Sequence, residues 1–128
     1  MTPIEQQTQD LTARYPGTSV TLLPTGGHLV EIANFKMPAG WNREIATILF
    51  LAPPGYPAAQ PDCFWVEPGQ VRLQNGATPQ NTNDTNLIPG VVGQRGTWFS
   101  WHVQSWDPNR DTLLRYVNVI MQRLKPAR

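Results

Sequence analysis

Pro53-Pro54-Gly55-Tyr56-Pro57-Ala58-Ala59-Gln60-Pro61, followed at once by Asp62-Cys63-Phe64-Trp65-Val66, divides the chain into two unlike parts. Proline locks φ and restricts the residue before it, so residues 53–61 read as a stiff, extended strap over the surface. Residues 63–66 read as a short strand entered directly from that strap. Upstream, residues 19–23, 28–35 and 44–52 carry strand patterns separated by Pro24-Thr25-Gly26-Gly27 and Met37-Pro38-Ala39-Gly40. In the second of these Leu29, Glu31, Ala33 and Phe35 oppose Val30, Ile32 and Asn34. Short strands with turn signals this close together predict an antiparallel meander. Downstream, residues 67–97 have little periodicity and are rich in Asn, Gly, Pro, Gln and Thr, with Val71-Arg72-Leu73 as a brief strand at most. So long a loop is more often functional than idle.

Helices close both ends. Thr2 caps the first, Pro3 suits its opening position, and Glu5 completes a Thr-x-x-Glu capping box. Ile4, Leu11 and Tyr15 share a face, and Pro16-Gly17 ends it. The last helix has Asp107 as its cap, Pro108 in its first turn and a stripe of Leu113, Tyr116, Val117, Ile120, Met121 and Leu124. Arg123, Lys125 and Arg128 suit the negative end of its dipole, and with Arg110 and Arg115 they predict a solvated basic face. The plan is α+β, with the sheet made in one run.

The chain has 128 residues, the size of one domain, and 40% of them are hydrophobic, enough for a core. Ten basic and nine acidic residues are too balanced for a nucleic-acid binder working by charge. One cysteine, Cys63, excludes an internal disulfide, and with only His28 and His102 beside it no closed Cys/His zinc site can be assembled. No apolar run approaches a membrane span and no signal-peptide core opens the chain, so the expectation is a soluble, cytoplasmic protein with no cofactor and no metal.

Two motifs carry a resemblance. Tyr56-Pro57-Ala58-Ala59-Gln60-Pro61 resembles the proline strap of ubiquitin-conjugating enzymes, and Trp106-Asp107-Pro108 with Leu113 resembles their Trp-x-Pro helix start. Pro61-Asp62-Cys63-Phe64-Trp65 and Trp98-Phe99-Ser100-Trp101-His102 are similar to the bacterial branch of that superfamily. The resemblance implies one ubiquitin-conjugating-enzyme-like domain over residues 1–128: N-terminal helix, four-stranded antiparallel meander, long active-site loop and C-terminal helix. It also implies a carrier in a bacterial ubiquitin-like conjugation system, or alternatively a non-catalytic adaptor. The implied partners are a ubiquitin-like protein, an activating enzyme and a metal-dependent isopeptidase encoded nearby, with no nucleic acid and no membrane.

The chain departs from that family at its usual thiol. Counting eight residues back from Trp106 reaches Trp98, and no cysteine follows Cys63. The His-Pro-Asn triplet is also absent; Thr78-Pro79-Gln80-Asn81 is the nearest approach. Three candidates remain. Ser100 with His102 supplies a hydroxyl and a base, roughly 6 to 7 Å apart at the β-carbons if the segment is extended; the same pair equally suits hydrogen bonds that hold loop backbone. Asn81, among Asn81, Asn83 and Asn86, is the best placed to face an oxyanion, a role worth about 3 kcal/mol, although asparagines in such loops more often make turns. Cys63 is the less favoured nucleophile, since a cysteine on a strand beside Asp62 is more often packed than reactive. Trp98, Trp101 and Trp106 are read as plugs at the core edge under the loop. The strap and the last helix are expected to bracket one crevice with Ser100 and His102 at its mouth.

Overall fold

The computed structural model describes residues 2–128. Helix α1, Pro3–Arg14, opens with the capping box intact: the Thr2 hydroxyl accepts from the Glu5 backbone N–H and Glu5 reaches back to Thr2. Strands β1 (Thr18–Leu22), β2 (His28–Lys36), β3 (Ile45–Ala52) and β4 (Phe64–Glu67) follow as an antiparallel meander, then β5 (Thr82–Asn83), β6 (Thr97–Phe99) and helix α2 (Leu113–Leu124).

The sheet has six strands rather than the expected four, in the order β1-β2-β3-β4-β6-β5. The additional pair comes from the long loop and its end: β6 returns to β4, with Phe64 facing Phe99, Trp65 facing Trp98 and Val66 facing Thr97, and β5 pairs with the outer side of β6. Gly96 makes this approach possible, because at its φ of +72° any Cβ would stand 2.4 Å from the Val66 carbonyl oxygen. The brief strand expected at Val71-Arg72-Leu73 reduces to one bridge between Leu73 and Trp41. Asp84 secures the rest of the loop. Its carboxylate accepts from the Gln70 N–H at 2.9 Å, Arg72 at 2.9 Å and the Thr97 hydroxyl.

Alternation in β2 breaks near its end. Asn34 has φ 56°, and the register against β3 shifts between Ile32 and Phe35. This bulge turns Phe35 onto the Val30/Ile32 face, opposite to strict alternation.

One face of the sheet packs against both helices through Val30, Ile32, Ile48, Phe50, Phe64, Val66 and Phe99 with Leu11, Leu113, Tyr116, Val117, Ile120 and Leu124. Helix α2 starts later than Asp107. That carboxylate is used in a separate turn, accepting from the Asn109 N–H, and Thr112 caps the helix by accepting from the Arg115 N–H. The expected apolar stripe is in place, with Met121 half-buried. The solvated basic face loses Arg123, which is only 3% exposed. Its guanidinium lies over the Phe99 ring and donates to the Gln80 and Arg128 carbonyls, and burial lowers its pKa to about 10.

The opposite face carries a smaller cluster, Leu29, Leu49, Trp65 and Ile88, with Leu23, Leu51, Val91 and Trp98 against it. Among the described residues no helix covers it; the loop around Ile88 does.

Candidate active site

The strap leads into this second face. Trp106 packs on Tyr56 with ring centroids 5.9 Å apart and donates its indole N–H to the Pro57 carbonyl at 2.8 Å. Tyr56 hydrogen-bonds Gln7 of α1. So anchored, the strap delivers Pro61, Asp62 and Cys63 to the start of β4.

Cys63 does not sit in the strand. Its φ is 60°, a left-handed conformation that costs a non-glycine residue on the order of 1–3 kcal/mol. Two hydrogen bonds hold it there: its N–H donates to the Trp101 carbonyl at 3.0 Å, and Tyr116 of α2 donates its hydroxyl to the Cys63 carbonyl at 2.7 Å. Cys63 is 8% exposed but belongs to neither apolar cluster. It is buried, as a structural cysteine would be, yet its side chain helps line a cavity of about 320 Å³. Leu51, Pro53, Trp65 and Trp98 form the apolar walls; Asn86, Leu87 and Pro89 of the loop close one side, and Gln60 and Asp62 another.

At the edge of that cavity, His102 and Asp62 meet, Nδ1 to Oδ1, at 2.5 Å. Ligating atoms of Asp62, Cys63 and His102 all lie within 4.8 Å of one another. The two polar partners are largely exposed while the sulfur is not, so the cluster joins solvent to the cavity. Burial pushes the Cys63 thiol up, while donors from the Trp101 backbone and the Trp98 side chain pull it down, and the Asp62 charge pushes it further up. At neutral pH the thiol is therefore protonated, and a base is required to use it.

The expected constellation is rearranged. His102 reaches Asp62 and Cys63, and among the described residues no hydrogen bond links it to Ser100. Ser100 is half-buried beyond the end of β6, does not line the cavity, and uses its backbone N–H on the Asn81 carbonyl at 2.9 Å. Asn81 is exposed at φ 55° and outside the cavity; of the three asparagines only Asn86 lines it. Asn83 makes a turn, accepting from the Thr85 and Asn86 N–H groups. Nor does the C-terminal helix form a wall: the crevice lies between strap, sheet and loop. The three tryptophans are half-buried as expected, Trp101 donating to the Val119 carbonyl and Trp98 bordering the cavity. Sequence reading missed Asp62 as a partner of His102. The only signal is a carboxylate beside the lone cysteine, which by itself argues against a reactive thiol.

The family model described as prokaryotic E2 family E matches residues 15–127. The chain belongs to that family. No curated protein and no solved structure matches it. Membership in family E carries an E2-like, conjugation-related role, and with it interaction in general with a ubiquitin-like protein and an activating enzyme. Among the described residues, no helix of this family E protein is long and apolar enough to cross a membrane.

Proposed function

We propose that this family E protein is a carrier in a bacterial ubiquitin-like conjugation system, with Cys63 as the acceptor of the activated C-terminus. The observation that supports this is the proximity of Asp62, Cys63 and His102 at the cavity. Asp62 orients the imidazole through Nδ1, and His102 takes the thiol proton. The thiolate then attacks the acyl carbon held as a thioester on the activating enzyme. A new sulfur–carbon bond forms on Cys63, the old one breaks, and the activating enzyme's thiolate leaves. The Trp98 side chain and the Trp101 backbone favour negative charge on the sulfur before attack. Transfer to a target amine returns the thiol. A metal-dependent isopeptidase acting on the product completes the same reading.

The test combines the protein with an activating enzyme, nucleotide and ubiquitin-like protein, and probes the adduct. The expected adduct is cleaved by reductant, lost in Cys63→Ala and kept in Ser100→Ala. A reductant-resistant, hydroxylamine-labile adduct lost in Ser100→Ala overturns Cys63 in favour of an oxygen ester on Ser100. Binding without any adduct overturns the carrier reading in favour of a non-catalytic adaptor.

A further inference from the structure

The same three side chains have a second chemistry. One cysteine and two histidines are too few for a closed Cys/His zinc site, but a carboxylate and solvent can complete an open one. Thiolate, imidazole and carboxylate are the three donor types zinc takes, and catalytic or exchangeable zinc sites use three protein ligands with the fourth position open. Here one of each is present, all within 4.8 Å. Tetrahedral ligation needs donor atoms roughly 3–4 Å apart, so Asp62 Oδ1 and His102 Nδ1, which stand 2.5 Å apart, must separate as the ion enters, and side chains 56% and 61% exposed have room to do so. Asp62 is the shared partner: its carboxylate meets His102 Nδ1 and also accepts from the Cys63 thiol. Cys63, in contrast, is fixed by both of its backbone hydrogen bonds.

We infer that Asp62, Cys63 and His102 form a binding site for one zinc-class divalent ion, with an open coordination position. Binding replaces the proton on Cys63 by the metal: the S–H bond breaks, a metal–sulfur bond forms, and one proton passes to solvent. The ion and the acyl group are mutually exclusive on that sulfur. The metal therefore opposes loading; this consequence, unlike the binding itself, rests on the carrier reading.

The experiment titrates the metal-free, reduced protein with Co²⁺ and with Zn²⁺. Expected are one ion per chain, a thiolate-to-cobalt charge-transfer band with the visible bands of a tetrahedral ion, loss of the Co²⁺ bands on adding Zn²⁺, and release of one proton. Cys63→Ala should lose the charge-transfer band. His102→Ala and Asp62→Ala, both at exposed side chains, should each weaken binding by roughly 100-fold or more, since losing a ligand costs at least as much as losing the group that orients one. Octahedral spectra without charge transfer, or affinity unchanged in these variants, overturn the site. Loading assayed with and without chelator separates the two ideas. No adduct with chelator present counts against the carrier and leaves the spectroscopic result standing, whereas loading unaffected by saturating Zn²⁺ overturns the metal's opposition to it.

Discussion

The two faces of the sheet are built from the same strands and have been covered in different ways. On one, two helices close over Phe50, Phe64 and Phe99, and the packing includes a stacked Phe64–Phe99 pair 4.8 Å apart and Tyr116 against Phe50 at 5.0 Å. On the other, a loop lays Ile88 over Leu29, Leu49 and Trp65 and leaves a cavity beside Trp98 and Cys63. A helix presents a side chain to the sheet on every turn and fills the space. A loop must also satisfy its own backbone groups, so it covers at a few points and leaves room between them. The closed face provides stability and the loosely covered face leaves a cavity. Tyr116 couples them: it is buried among the helix-side residues, and its hydroxyl holds the Cys63 carbonyl.

The largest effect is expected on the closed face. Phe99→Ala should cost about 3–5 kcal/mol in urea unfolding, since it empties a fully buried site between Phe64 and Arg123. Ile88→Ala should cost less, about 2 kcal/mol, at the low end for a buried isoleucine because the loop can settle onto the sheet. It should also speed hydrogen exchange at the Trp65 indole, which donates to the Asn86 carbonyl at 3.0 Å. Equal losses in the two variants would erase the distinction between the faces.

Asp84→Asn should cost about 1–3 kcal/mol by leaving the partners of a charge-assisted network short of an acceptor. Burial alone would raise the Asp84 carboxyl, but hydrogen bonds from Thr97, Gln70 and Arg72 outweigh it and the pKa is lowered. The folded state thus binds the Asp84 proton less readily than the unfolded chain. The contribution is present above about pH 4 and lost as pH falls through the lower folded value, so the variant should flatten the acid limb of stability.

The smallest effect is alkaline. The Cys63 thiol is raised in the fold, so its contribution is intact below about pH 8.5 and declines as pH rises towards the folded value. Cys63→Ala should remove the first part of that decline in denaturant titrations run across this range. An unchanged slope would mean that the thiol is as solvated as in the unfolded chain, and the cavity wall would lose its claim to tune it.

The element plan was legible because it rests on local chemistry. The Thr2–Glu5 box, the β-rich runs, the proline strap and the stripe from Leu113 to Leu124 are signals spanning a few neighbours each. The cap at Asp107 was misread for a local reason as well: Asp107 and Thr112 are both good caps, and the first was used in a turn. What escaped was non-local. β6 pairs with β4 across the whole loop, Arg123 is drawn in by Phe99 and the Gln80 carbonyl, and the Asn34 bulge moves Phe35 to the other face. The site suffered most. Ser100 and His102 are neighbours in sequence, and an extended segment would point them together, but the chain leaves the strand after Phe99.

From residue order alone came the strap, the two capped helices, the lone thiol and the lack of a cysteine eight residues before Trp106, since each depends on residue type and short spacing. The partnership of Asp62 with His102, and the left-handed turn that brings Cys63 to a cavity, arose only when β4, β6 and α2 were packed together. Backbone partners as remote as Trp101 and the hydroxyl of Tyr116 stabilise a conformation that residues 61–64 would not adopt without them.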